Sequence, residues 1–480
     1  MRRIERLDAL VLLLLVGGML AVYSCALFIP YAYSDDYPWL WRVLAHSATV
    51  YPRLAAQGRP LNAVLLQRLF RQAGNLAALR YVRTISVIEI TGMGWMFYLA
   101  ALRGGVERVT AAILGGMACL VPAVQVYAAW TNAVPIPLAC ILAAVAAMMT
   151  GWAMDRWRGR WPAFILAPIL LMVAASIYQP AVTVFLPLAA MDSYQEEGKL
   201  LKRLSVYAFV CCAGLFLGWC VFQYGLAHHP EWVRAERSGF ALDARDKTFG
   251  FIRNPLIDSL NLFKLRSSPN LAVGMAAFLC IGLMCSFSGN LLRRLGCLAL
   301  AAMFLPLSYV VNLLARGDSW SFRTQIGLEW MVLVLGWKAL DGLWRTIRNR
   351  RPPPMLLGVI AAVCACQAAC NVTALIAWPQ SLEQSLLRIA LSRSDAEAAR
   401  RIILLQPTTA DSPAAFSRYD EFGVPSLSEG WVPRAEVNLI RREIDHAAKP
   451  IDVEPHADFK GPWATQLPPG TVVIDMRSLR

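Results

Sequence analysis

Charged side chains are scarce in this sequence: Asp, Glu, Lys and Arg together make up 16% of its 480 residues, and histidine occurs only five times. A soluble globular domain uses about a quarter charged residues. With 57% of the chain hydrophobic, too little polar surface remains to face water, which excludes a soluble domain and a disordered chain alike. The long loops and the tail lack cysteine. All 12 cysteines, from Cys25 to Cys370, fall within or at the ends of apolar stretches, so neither a disulfide framework nor a zinc site is supported, and small polarizable core residues account for them. No internal repeat is visible. No A-x-A cleavage site precedes Ser34-Asp35-Asp36, so the basic, apolar N-terminus is expected to be an uncleaved anchor rather than a signal peptide.

Acidic residues are the deficient sign, 32 against 46 basic, a formal net charge of +14. Residues 379 to 480 hold 12 basic and 14 acidic side chains, a net of −2, so the first 378 residues carry +16. The excess therefore lies between apolar runs, where it reads as topology rather than as nucleic-acid binding. Eleven apolar stretches are expected to span a membrane: 8 to 30, 81 to 102, 109 to 127, 135 to 154, 161 to 177, 180 to 192, 204 to 225, 271 to 289, 296 to 314, 326 to 344 and 355 to 378. The sixth is short for a crossing and shares a hairpin with the fifth around Tyr178-Gln179-Pro180; without it every later span reverses. Six short basic patches alternate with this count: Arg2, Arg3 and Arg6; Arg103 and Arg108; Arg156, Arg158 and Arg160; Lys199, Lys202 and Arg203; Arg293 and Arg294; Arg345, Arg348, Arg350 and Arg351. Their density beside span ends orients the N-terminus to the cytoplasm and the tail to the outside.

The expected fold class is an α-helical polytopic membrane protein, with a transmembrane domain over 1–378 and an outer-face domain over 379–480. Two long outer loops, 31–80 and 226–270, complete the exposed side. An enzyme so built works on the outer face.

The first outer loop opens with Tyr33-Ser34-Asp35-Asp36-Tyr37. Adjacent carboxylates at a membrane edge are costly, because like charge and poor solvation both disfavour ionisation; the pair either caps the next helix or has a chemical task. Two amphipathic interfacial helices follow, one carrying Trp39, Leu40, Val43 and Leu44, the other Leu61, Val64, Leu65, Leu69 and Phe70. Between them Gln57-Gly58-Arg59-Pro60 forms a turn that presents Arg59 at headgroup level, where it binds either lipid or substrate phosphate.

An acidic pair after the first span, an interfacial helix, a Gly-Arg-Pro turn, Tyr178-Gln179 in a mid-chain hairpin and, more faintly, Glu421-Phe422-Gly423-Val424-Pro425-Ser426 together resemble the bacterial membrane glucosyltransferases that modify O-antigen, within the GT-C glycosyltransferase superfamily. The resemblance implies a GT-C-like fold of about 11 transmembrane helices in the bacterial cytoplasmic (inner) membrane, with a periplasmic C-terminal domain. It also implies a polyprenyl-phosphate sugar donor, with glucose as the sugar, and a lipid-linked or surface glycan as acceptor; the remaining partner is the bilayer, and nucleic acid is not expected. The chemistry fits the residue types. A hydroxyl attacking an anomeric carbon needs a carboxylate base, Asp35 or Asp36, and the departing phosphate needs fixed positive charge. No metal is required for such a leaving group, although an acidic pair is able to hold a divalent cation.

Further phosphate-binding candidates are Arg316 and Arg323, in the segment between the ninth and tenth spans; Arg323 is expected in the first turn of the tenth, where free N–H groups favour an anion. The alternative is an interfacial anchor around Trp320. Glu89 with Arg83, Glu329 with Arg323, and Lys338 with Asp341 read as ion pairs within spans. In the second loop only 255 to 265 looks regular, and His228-His229 has no further histidine nearby. The tail reads as a small mixed α/β unit with helices over 381–392 and 396–404 and a strand over 471–475. A lipid-linked glycan flippase and a glycan polymerase or ligase are the competing readings; a flippase places functional charge near the midplane and often has repeated halves.

Overall fold

In the computed structural model, residues 6–45, 50–155, 161–193, 200–232, 239–241, 243–317, 320–393, 396, 398–412, 421–457 and 467–477 are described. Arg2, Arg3, Arg156, Arg158, Arg160, Lys199, Asp318 and Ser319 lie outside them. Helices cover all eleven apolar stretches. Among the described residues five are long and apolar enough to cross a membrane: Leu79–Arg103, Thr131–Asp155, Leu200–His228, Pro269–Ser286 and Pro354–Leu391. A sixth forms if Arg108–Ala118 and Pro122–Ala129, bent by 60° at the break between them, count as one. These several long apolar helices point to a multi-pass membrane protein. Among the described residues the others are shorter, such as Arg6–Val22, Trp161–Ile177 and Leu291–Leu307, or more charged, such as Ile326–Arg348 with Glu329, Lys338 and Asp341.

The sixth stretch forms only the helix Phe185–Ser193, preceded by a 3-10 turn over Gln179–Val184. At 2.0 Å per residue in the turn and 1.5 Å in the helix, the pair reaches about 25 Å, where an all-helical segment of that length would reach about 22 Å. Its two ends lie at opposite ends of the bundle. Arg59 packs on Tyr178 at one end, and at the other Asp192 bonds Arg103 and Arg203, each at 2.5 Å, and the Tyr207 hydroxyl at 2.6 Å. Asp155 bonds the same two arginines, so four helices are joined by one charge-balanced network.

The break after Ala118 frees backbone groups that side chains then take up. Trp330 donates to the Ala118 carbonyl at 2.9 Å, Tyr23 to that of Cys119 at 2.6 Å, and Gln125 to that of Leu120 at 2.7 Å. Glu329 accepts from the Ala123 N–H at 3.1 Å. Glu329 therefore caps a helix instead of pairing with Arg323. Likewise Arg83 donates to the carbonyls of Ala26 and Tyr31, at 2.7 and 2.9 Å, rather than pairing with Glu89, and Asp341 pairs with Arg345 at 2.8 Å, one helical turn on.

The first loop is helical over Asp36–Leu44, Val50–Ala55 and Pro60–Ala73; the middle helix was not foreseen. In the second loop the helix begins at Ala244, earlier than the expected 255, because Asp243 accepts from the N–H groups of Arg245 and Asp246, an N-cap missed in the sequence. The chain stays helical from Pro354 to Leu391, through a π-helical turn at Thr373–Ala377. Beyond it, the helix expected over 396–404 is instead a strand, β1 (Arg401–Leu405), the centre of a parallel sheet with β2 (Asp452–His456) and β3 (Thr471–Asp475) in the order β2-β1-β3. Ile402-Ile403-Leu404-Leu405 is a continuous apolar run, as suits a central parallel strand buried on both faces, and all four are buried. The helix Pro433–Ile444 packs on this sheet. A hydrophobic core joins this unit to the first loop, with Tyr37, Leu40, Leu66 and Phe70 from the loop meeting Leu387, Ile402, Val437 and Ile440 from the tail.

Candidate functional site

Two adjoining cavities open at the end of the bundle where the first loop and the tail meet. One, of about 440 Å³, is mainly apolar and runs along Leu215, Phe216, Trp219 and Phe222 of the Leu200–His228 helix. The other, of about 310 Å³, is lined by Asp35, Arg42, Arg53, Asn62, Asn132 and three tryptophans, Trp39, Trp130 and Trp431. Gln57, Arg59, Tyr178 and Arg323 line both.

Arg59 reaches this junction because Gly58 adopts φ +79°, a left-handed conformation that costs other residues steric strain. The guanidinium carbon lies 4.6 Å from the Tyr178 ring centroid, and Nε donates to Gln179 Oε1 at 3.1 Å. Gln179 in turn donates to the carbonyls of Gln57 and Gly58, at 3.1 and 2.8 Å. A Cβ on Gly58 would stand 2.6 Å from Gln179 Nε2. The Gly-Arg-Pro turn and the Tyr-Gln pair, expected as separate motifs, thus form one unit, and Arg59 lines both cavities.

The acidic pair divides. Asp35 lines the polar cavity, where Trp431 Nε1 donates to its Oδ1 at 3.0 Å, and its side chain makes no capping bond to the helix that follows. Asp36 points inward and is fully buried, accepting from the N–H groups of Asn132 at 2.8 Å and Tyr33 at 3.1 Å. Burial pushes the Asp36 carboxyl up to about 7, against the opposing pull of Arg83 and these hydrogen bonds. Asp36 holds the loop in place, and Asp35 is the carboxylate of the pair that lines the cavity.

Arg323 lies in a 3-10 turn, Phe322–Thr324, before the helix that starts at Ile326. It is therefore not in that helix's first turn, where the sequence placed it. It packs over the Trp130 ring at 4.6 Å. The buried Glu421 of the tail fixes the turn, accepting from the N–H of Phe322 at 2.6 Å and of Arg323 at 3.0 Å, with the Arg323 side chain 3.8 Å away. Ser426, at the end of the same tail motif, accepts from the Ser34 N–H at 2.8 Å. Arg316 is exposed and lines only the apolar cavity. Among the described residues, no group of three or more His, Cys, Asp or Glu is placed to hold a metal ion.

Trp431, Asn132, Asn62, Arg42 and Arg53 were not foreseen as site residues. Nor was Trp39, read only as part of the apolar face of an interfacial helix. The signal available for the rest was weak: isolated polar or aromatic residues in loops. No protein-family model matches the chain, and no curated protein matches it.

Proposed function

We propose that the chain is a membrane glycosyltransferase of GT-C type that moves a hexose, glucose by resemblance, from a polyprenyl-phosphate donor to a glycan acceptor on the outer face of the bacterial cytoplasmic membrane. The observation that carries this reading is the junction of the two cavities at Arg59, Tyr178 and Arg323, with Asp35 in the polar one. A prenyl chain suits the apolar cavity, which adjoins the lipid-facing side of the Leu200–His228 helix. A sugar suits the polar cavity, where aromatic faces and amides surround Asp35. The phosphate between them belongs at the junction, within reach of Arg59 and Arg323, with Arg316 further along the apolar side.

In the transfer, an acceptor hydroxyl attacks the anomeric carbon and gives its proton to Asp35. The new C–O bond forms as the bond from the anomeric carbon to the phosphate oxygen breaks, and polyprenyl phosphate departs with that electron pair. Its extra negative charge is met by the guanidinium groups, whose planar fork matches phosphate oxygens. Asp36 does not line the cavity; it is a positioning residue for Asp35 and Asn132.

The flippase reading draws less support. A broken helix near the bilayer middle serves transporters by exposing backbone groups to the cargo, whereas here the groups freed at 118–123 are bonded to Trp330, Tyr23, Gln125 and Glu329.

The test is transfer of labelled glucose from a polyprenyl-phosphate donor by the full-length protein in nanodiscs. Asp35→Asn is expected to lose roughly 100-fold or more in turnover, the scale of general-base catalysis, and Arg59→Ala a similar amount. Wild-type rates in Asp35→Asn would end the carboxylate-base mechanism. Cysteine labelling at position 35 from outside intact cells tests the orientation, and labelling only from the cytoplasmic side would reverse it.

A further inference from the structure

The wall of the polar cavity away from the junction carries two arginines for which the transfer step has no use. Arg42 is in the last turn of Asp36–Leu44, and Arg53 is in Val50–Ala55. Their guanidinium carbons lie 5.1 and 5.9 Å from the centroid of one Trp39 ring, which is only 6% exposed. Neither guanidinium has a hydrogen bond or ion pair to a described residue. Arg42 is half-buried, and burial together with the Arg53 charge disfavours its charged form, which Asp35 only partly offsets. Arg53 is exposed, so the uncompensated charge is chiefly that of Arg42, and an anion in the cavity that both arginines line supplies the missing counter-charge.

The rest of the cavity describes what carries the anion. Arginines at 42, 53, 59 and 323 face one lining acid, Asp35, and Arg323 already has Glu421 beside it. Around them, Asn62 Oδ1, Asn132 Oδ1, Trp39 Nε1 and Trp130 Nε1 are buried without a hydrogen-bond partner among the described residues. Three of these side chains are nearly closed off: Asn62 is 4%, Trp39 6% and Trp130 2% exposed. Amide and indole side chains that line one space suit the hydroxyls and C–H faces of a sugar. Two guanidinium groups lining the same cavity match a carboxylate or phosphate borne by that sugar.

We infer that Arg42 and Arg53 form a subsite for an anionic substituent, a carboxylate or a phosphate, on the acceptor glycan, so that an acidic acceptor is taken in preference to a neutral one. Naming the ligand an acceptor rests on the glycosyltransferase reading; the anion subsite itself does not. It also assigns a task to the first loop's short second helix, which brings Arg53 to the Trp39 ring.

Binding and transfer are measured separately on the full-length protein in zwitterionic nanodiscs. The binding probes are a glucuronate-bearing tetrasaccharide and its carboxyl-reduced neutral counterpart, titrated without donor. The wild type is expected to bind the acidic probe at least about tenfold more tightly, the effect of one or two charge-assisted hydrogen bonds, and the preference is expected to weaken in high salt. In the R42Q/R53Q double variant the preference should fall to about onefold while neutral binding is unchanged, which also reports that the cavity is intact. Arg42→Lys with Arg53→Lys should keep part of it. Equal binding of both probes by the wild type, or a preference that survives in R42Q/R53Q, overturns the subsite. Loss of the preference when phosphatidylglycerol replaces the zwitterionic lipid assigns the arginines to headgroups and overturns the acceptor role. If the preference behaves as expected but no polyprenyl-phosphate sugar is transferred to any acceptor, the subsite stands and the glycosyltransferase reading fails.

Discussion

Trp431 donates its indole N–H to Asp35 at 3.0 Å across 396 residues of sequence. The tail thereby supplies part of the wall around the carboxylate proposed to do the chemistry, and the first loop cannot form the site by itself. Removing only the N–H, in Trp431→Phe, is expected to lower turnover about fivefold, the value of one hydrogen bond of roughly 1 kcal/mol. Melting temperature should hardly change, because the indole is 57% exposed. Glucose-transfer kinetics alongside a thermal scan check both halves.

Gly58 is required twice over, by its φ of +79° and by the approach of Gln179. Gly58→Ala is expected to cost about 1–2 kcal/mol in backbone strain alone and to move Arg59 off Tyr178. Donor KM should rise more than acceptor KM. A variant with unaltered donor KM would show that the turn does not position Arg59 for the donor.

Asp36 makes stability depend on pH. Its folded carboxyl titrates at about 7 against 3.8 for an ordinary one, so between those values the native state holds a proton that the unfolded state has released. The stability associated with the neutral form is complete below about pH 4 and is lost as pH rises through 7. Melting temperature of the wild type, in detergent, should therefore fall across that window, and Asp36→Asn should flatten the fall. An unchanged slope in the variant would assign it to another group.

Glu421 ties the tail to the turn that carries Arg323. Glu421→Gln keeps one acceptor oxygen and loses the charge beside Arg323, at a cost of about 1–3 kcal/mol. Donor KM should increase several-fold while Trp431 and Asp35 keep their contact, so acceptor KM should hold. Equal rises in both constants would indicate general loosening of the tail instead.

The apolar runs, and the −2 tail after a +16 segment, were legible without coordinates, because composition is displayed by any window of sequence. So were the Asp-Asp, Gly-Arg-Pro and Tyr-Gln motifs and the strand at 471–475. Local pattern misled at 401–405, where a strand buried on both faces has no alternation to distinguish it from a helix, and at Glu329 and Arg83. Each of those two has its partner in backbone that a break or a turn leaves free, and no spacing rule reveals such a partner. Which carboxylate of Asp35 and Asp36 faces the cavity, that Gln179 holds Gly58, and that Trp431 and Glu421 complete the walls were decided by tertiary packing alone. The physical reason is range: composition and periodicity act within a few turns, whereas the hydrogen bonds that assemble this site join residues about 100 to 400 positions apart.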